Sequence, residues 1–137
     1  MRPLPIRYVV DLPAVQRFYE ALGLRVGFTG RAPRHGGGSR WVELVGASGA
    51  ALALHVDDEA GGAAAGRAHA VVPGGGLAVE LAFEADEPLE EVVARLRAAG
   101  FEPATAIVDE SYGRSFRIVD PEGLSLQINE HDRELHG

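Results

Sequence analysis

The feature that most constrains this chain is that its order of elements starts over partway along. Leu4 to Val10 alternates in strand fashion, with Leu4, Ile6 and Tyr8 on one face and Pro5, Arg7 and Val9 on the other. Asp11 then caps a helix with Pro13 in its first turn. Val15, Phe18, Tyr19 and Leu22 recur at the spacing of one apolar stripe, and Gly23 ends the helix. Three strands follow, Leu24 to Gly30, Arg40 to Val45 and Ala50 to Val56, the last two joined by the turn Gly46–Gly49. Beyond a Gly/Ala-rich tract the same order returns. Leu77 to Ala85 reads as a strand, Asp86 or Glu87 as the cap of a helix with Pro88 near its start, and Leu89, Val92, Val93 and Leu96 as its stripe. Gly100 closes that helix, and strands at Ala104 to Val108, Arg114 to Val119 and from Leu124 complete the set. Gly23 and Gly100 lie 77 residues apart, each followed by an apolar residue, Leu24 or Phe101. A strand, a helix and three strands used twice make a fold of two copies of one unit.

At 137 residues the two copies form one domain, with a first module at 2–57, a linker at 58–76 and a second module at 77–130. With 46% apolar residues the chain is globular. Its N-terminus, with Arg7 and Asp11 close behind Met1, does not read as a secretory leader, and no apolar run approaches the ~20 residues of a membrane span. The expected location is the cytoplasm, with no membrane partner. The absence of cysteine excludes disulfides, thiolate nucleophiles and Cys-type metal sites. Of the 20 acidic residues 14 fall in 69–137, against 5 of the 13 arginines, and the net charge is −7. That balance argues against nucleic acid as a partner and agrees with a cationic small ligand as well as with simple solubility. The Gly-rich tracts lack a following Gly-Lys-Ser/Thr, so they are not phosphate loops.

The stretch Asp120-Pro121-Glu122-Gly123 reads as a tight turn into a final strand, since Pro presets the turn backbone and Gly tolerates positive φ. Beyond it, Leu124, Leu126 and Ile128 fall on one face, and Ser125, Gln127 and Asn129 on the other. A strand with one dry face and three hydrogen-bonding side chains opposite is suited to line a pocket or to meet solvent.

Val9-Val10-Asp11-Leu12 followed by Phe18-Tyr19-Glu20-Ala21-Leu22-Gly23-Leu24, together with Asp120-Pro121-Glu122-Gly123 and its alternating strand, resembles the vicinal oxygen chelate superfamily. That superfamily contains glyoxalases, extradiol dioxygenases, fosfomycin-modifying enzymes and bleomycin-resistance-type binding proteins. The resemblance implies an α+β fold of two βαβββ modules that form an open, cupped mixed sheet, helices outside and ligand in the cup. It also implies a homodimer. In metal-dependent relatives the ion is held by His, Glu or Gln at four places, which fall here on Leu4, about Ala53, Glu80 and Gln127. Leu4 and Ala53 have no donor atom, while His55 lies two residues after Ala53 and so on its face. His55, Glu80 and Gln127 are therefore the set that a metal such as Fe, Zn, Ni or Mn would use, and no cofactor is the first expectation.

Glu80 stands among Leu77, Val79 and Leu81, where burial of a carboxylate is costly unless it is paired or faces a cavity. Ligand contact and an ion pair with Arg114 or Arg117 are both consistent with that position. Trp41, the only tryptophan, is placed to stack on a planar ligand or to pack in a core or interface. Tyr112, before Gly113, resembles the aromatic-Gly loop that such proteins carry ahead of the penultimate strand. His131 and His136 fall in a polar tail, His35 in a glycine loop and His69 at the end of the linker, where solvent exposure is expected. Asp57-Asp58-Glu59 reads as a solvated strand end. No Gly-x-Ser-x-Gly elbow supports a hydrolase.

The expected function is non-catalytic binding and sequestration of an antibiotic or other natural product, of the bleomycin-resistance type. Tyr8, Trp41, His55, Glu80, Tyr112, Gln127 and Asn129 are the expected ligand contacts. The alternative is a divalent-metal-dependent lyase, isomerase or dioxygenase, in which the ion stabilises an enediolate-like charge.

Overall fold

A computed structural model describes residues 2–32, 34, 36–56 and 80–132, and the backbone of 71–72 and 76–77. His35, His69, His136 and Asp57-Asp58-Glu59 lie outside the described residues. The chain divides into two compact units, Met1–Ala78 and Val79–Gly137.

In the first unit, β1 (Ile6–Val9) leads into α1 (Leu12–Leu22), then β2 (Arg25–Thr29), β3 (Trp41–Val45) and β4 (Ala51–Val56). The sheet order is β1-β4-β3-β2, with β1 parallel to β4 and the other pairs antiparallel. Asp11 caps α1 from its own side chain, accepting the Ala14 N–H at 3.1 Å. Gly23, at φ 121°, stops the helix in a conformation that side chains with a Cβ resist, and its N–H and that of Leu24 return to Glu20 O and Tyr19 O. The expected stripe is the buried one: Val15, Phe18, Tyr19 and Leu22, joined by Leu12, share the core with Val42, Leu44, Leu52 and Leu54. Phe18 and Tyr19 meet edge to face at 5.0 Å.

The backbones of β5 (Val71–Val72) and β6 (Gly76–Leu77) pair antiparallel. Leu77 thus belongs to this hairpin, whereas the first strand of the second unit, expected from Leu77, is described only from Leu81. That strand, β7 (Leu81–Glu84), is followed by α2 (Leu89–Ala98), β8 (Val108–Glu110), β9 (Gly113–Val119) and β10 (Ser125–His131). The order β7-β10-β9-β8, with β7 parallel to β10, repeats the first sheet's topology. The fold is α+β, two βαβββ modules, as the repeat requires. Leu89, Val92, Val93, Leu96, Phe116, Ile118, Leu126 and Ile128 are the second core. The strand expected at 104–108 sits later. The Ala104 and Thr105 N–H groups both donate to Arg117 O, and the Thr105 hydroxyl accepts the Arg117 N–H, a side-chain substitute for ladder pairing.

The cap of α2 also differs from expectation. Pro88 occupies the cap position and offers no side-chain acceptor. Asp86 and Glu87 do not fill the role, and Glu87 pairs with Arg95 instead. The acceptor arrives from the far end of the chain, where Glu130 Oε2 takes the Leu89 N–H at 2.9 Å. Glu130 is aimed there by Arg114, its cross-strand partner in register, whose Nη2 lies 2.9 Å from Glu130 Oε1. The same guanidinium chelates Glu90 in the helix's first turn through Nη1 and Nη2. Acids at this end also complement the positive end of the helix dipole.

Glu130→Ala is expected to cost about 1–2 kcal/mol of stability, the usual range for a lost cap, measured by urea denaturation, with Glu130→Gln intermediate. The Arg114 hydrogen bonds hold the Glu90 carboxyl down to about 2 from its ordinary 4.5. A depressed carboxylate contributes stability above its ordinary value and loses it as pH falls through the folded one. Stability of the wild type should therefore decline between about pH 4.5 and pH 2, and the decline should be shallower in Arg114→Met.

Candidate functional site

In each unit the sheet face opposite the apolar core gathers the chemistry-bearing side chains. On the first, register aligns three rings in a row: Tyr8 lies beside His55 on the parallel neighbour and Trp41 beside His55 on the antiparallel one. Ring centroids are 5.6 Å apart for Tyr8 and His55 and 5.5 Å for Trp41 and His55. All three rings are half-buried. Trp41 Nε1 donates to Glu43 Oε1 at 3.1 Å, so the indole is tethered to a carboxylate on its own face. Ser39 braces the strand at that point, its hydroxyl donating to Trp41 O at 2.9 Å. Ala53, buried, shares this face through its pairing with Ile6 and Glu43.

Phe28 is an addition that the sequence reading did not single out. Simple alternation would set it on the same side as Val26, which pairs with Leu44 of the core face. The register shifts between them, and Phe28 pairs with Glu43 on the aromatic side, 55% exposed. The bulge centres on Gly27, where a Cβ would meet Val45 Cγ1 at 2.8 Å. A glycine inside a strand was the available signal.

In the second unit Leu126 and Ile128 are buried, which turns Ser125, Gln127, Asn129 and His131 to the other side of β10. Arg117 is Gln127's cross-strand neighbour, Ser115 is that of Asn129, and Ala82 and Glu84 stand across on β7. The polar groups form one connected network. Arg117 Nη1 lies 2.6 Å from Glu80 Oε1, and its Nη2 donates to Gln127 Oε1 at 3.2 Å. The Gln127 amide nitrogen donates to the Tyr112 hydroxyl at 2.5 Å and to Asn129 Oδ1 at 2.8 Å, and Tyr112 donates in turn to Asn129 Oδ1 at 2.8 Å. The Glu80 hydrogen bond holds the Arg117 guanidinium above its ordinary pKa.

Two expectations change here. Glu80 is not inside a strand: it precedes β7 and is half exposed, and of the two arginines considered as its partner it pairs with Arg117. Arg114, the other candidate partner, faces α2 on the opposite side of the sheet. His131 is not in a solvated tail. It ends β10, half-buried, its Nδ1 2.9 Å from Glu84 Oε1 and its ring 5.5 Å from that of Tyr112. The clue was that alternation from Leu124 continues past Asn129 to it.

Tyr112 is brought to this network by the glycine after it. The chain at Gly113 runs so close to β10 that a Cβ would lie 2.0 Å from Glu130 O, and φ there is +148°. The Asp132 N–H donates to Tyr112 O at 2.9 Å and locks the turn. The Asp120 turn fixes the start of β10 in the same manner: its carboxylate, 3% exposed, accepts the Glu122 and Leu124 N–H groups at 2.9 and 3.0 Å.

Residues 5–128 match the Glyoxalase/Bleomycin resistance protein/Dioxygenase superfamily. The chain belongs to this superfamily. Among curated proteins no sequence matches. Solved structures with the same fold include TioX from Micromonospora sp. ML1, at 19% identity over 96% of this chain and 99% of that one, TM-score 0.67. UcmS2 is 18% identical over 94% of this chain and 96% of its own, TM-score 0.67. A glyoxalase/dioxygenase from Nostoc punctiforme is 20% identical over 94% of this chain and 89% of its own, TM-score 0.67. At these identities the likeness is one of fold.

The metal that the superfamily implies finds a poor donor set. Of the four positions to which the resemblance carries the superfamily's ligands, Leu4 and Ala53 offer no donor, and the Oε1 atoms of Glu80 and Gln127 both face Arg117. His55 sits between two aromatic rings. Among the described residues no group of three or more His, Cys, Asp or Glu is gathered to hold an ion. Nor, among them, is any helix long and apolar enough to cross a membrane.

Gly113→Ala should destabilise the protein by about 1–3 kcal/mol through overpacking against the Glu130 carbonyl, read as a lowered melting temperature. Tyr112→Phe, which keeps the ring and drops the hydroxyl, should cost about 1 kcal/mol. A Gly113→Ala variant as stable as the wild type would mean that Gly113 is not under steric constraint.

Proposed function

We propose that this protein binds and sequesters a planar, aromatic natural product without transforming it, in the manner of bleomycin-resistance proteins. The observation that carries the reading is the row Tyr8–His55–Trp41 on the face of the first sheet turned away from the core, with Phe28 rotated onto the same face by the Gly27 bulge. Aromatic rings set side by side across adjacent strands form a wall on which a flat ligand buries apolar area and stacks. Glu43, on that face and tethered to the indole, adds a carboxylate for a cationic or N–H-bearing ligand. Taken by itself, the polar face of the second unit, where Glu80, Tyr112, Gln127 and Asn129 are joined in one network, offers hydrogen-bonding groups to a polar ligand. Superfamily membership agrees with this reading and equally admits enzymes. The binding reading is preferred because the residues at the metal positions are apolar or already engaged by an arginine.

The test uses Trp41, the only tryptophan, as its own reporter. Titration with a panel of glycopeptide, enediyne and quinone antibiotics should reveal a compound that quenches indole emission and raises the melting temperature. Trp41→Ala should weaken its binding at least about tenfold, ~1.4 kcal/mol, measured by calorimetry. A panel without any thermal shift, or a ligand recovered chemically altered, would overturn the proposal.

A further inference from the structure

Three elements of the second unit converge on one guanidinium. Glu80 reaches it from the residue before β7, Gln127 from the middle of β10, and Arg117 projects from β9 opposite Gln127 in register. The two oxygens sit on the two ends of the fork, Glu80 Oε1 on Nη1 at 2.6 Å and Gln127 Oε1 on Nη2 at 3.2 Å. A guanidinium is planar, permanently charged and rigid in the placement of its donors, so it holds two acceptors at a set separation as an ammonium does not. The far end of Gln127 is committed as well, to Tyr112 and Asn129. Turning the amide oxygen toward any other cation would break all three of its hydrogen bonds.

We propose that Arg117 is the resident cation of this face, bridging Glu80 and Gln127 in place of a divalent ion and fixing the orientation of the Gln127 amide. Glu80 and Gln127 stand at two of the superfamily's metal positions, yet an ion brought to their oxygens would have to displace the guanidinium or share its space against like-charge repulsion. The charge that elsewhere enters as a cofactor is here part of the sequence. Arg117 is thus a positioning residue: it sets the pattern of donors and acceptors that Gln127, Tyr112 and Asn129 present.

Two measurements on untagged protein test this. In arginine side-chain NMR, with the Arg117 signals identified by their loss in Arg117→Lys, the wild type should show resolved Nη resonances from hindered rotation, and Glu80→Ala should collapse them. Equilibrium dialysis against Mn²⁺, Ni²⁺ or Zn²⁺ followed by elemental analysis should give the same metal content for wild type and Glu80→Ala. Nη signals unchanged in Glu80→Ala would overturn the bridge. Stoichiometric metal in the wild type that Glu80→Ala loses would overturn the assignment of Arg117 as the site's cation. Neither readout depends on ligand binding, and the dispersion of the amide spectrum shows whether each variant is folded.

Discussion

The alternation of side chains along β10 is the constraint on which the second unit depends. This strand is central, with β7 parallel on one side and β9 antiparallel on the other. A slip of one residue would send Leu126 and Ile128 out of the core and draw Gln127 and Asn129 into it. The burial of the two apolar residues therefore fixes where the amides point, and register recruits the rest: Arg117 to Gln127, and Ser115 and Glu84 to Asn129, with Glu84 also reaching His131. The same alternation carries Glu130 to the helix side, where a carboxylate would be misplaced among Phe116, Ile118 and Leu126 if Leu89 N–H and Arg114 did not meet it. Polar groups of the outer face and of the helix side thus alternate on one strand, each satisfied on its own side.

The two units use one topology for different surfaces. In the first, the strand corresponding to β10 is β4, whose residues on the face away from the core are Ala51, Ala53 and His55, and the neighbours at His55 are rings. In the second, the neighbours are a guanidinium, a phenol and amides. Duplication explains the scaffold. The contents of each face follow from which side chains stand in register on strands one and three apart in sequence order.

Much of this architecture was legible before any coordinates. Both helix stripes, both terminating glycines and the facing of β10 follow from spacing alone, because burial of one face is what makes those periods necessary. What failed was whatever depended on distant partners. Local sequence points to Asp86 or Glu87 as the cap of α2, whereas the acceptor comes from Glu130, and no local rule anticipates a contact spanning 41 residues. Alternation with Leu77, Val79 and Leu81 predicts Glu80 in a strand interior; Leu77 pairs in a hairpin instead, and the described strand begins at Leu81. Phe28 was hidden by a bulge that inverts the face of every residue after it, with Gly27 as its only local sign. Among the site residues, Arg117 entered only as one of two partners considered for Glu80. Its link to Gln127 became visible once β9 and β10 were set side by side.

The distant cap has a consequence for how the chain matures. The helix of the first unit is complete in itself: Asp11 lies next to it in sequence and caps it as soon as its first turn forms. The helix of the second unit has no such neighbour. Its N-terminal amide waits for Glu130, which leaves the ribosome about 40 residues later, after β8, β9 and nearly all of β10. The first unit is able to settle during synthesis, whereas the second closes only when its last strand arrives, so that loss of the last eight residues, Glu130 included, would reach back to unfasten the start of α2.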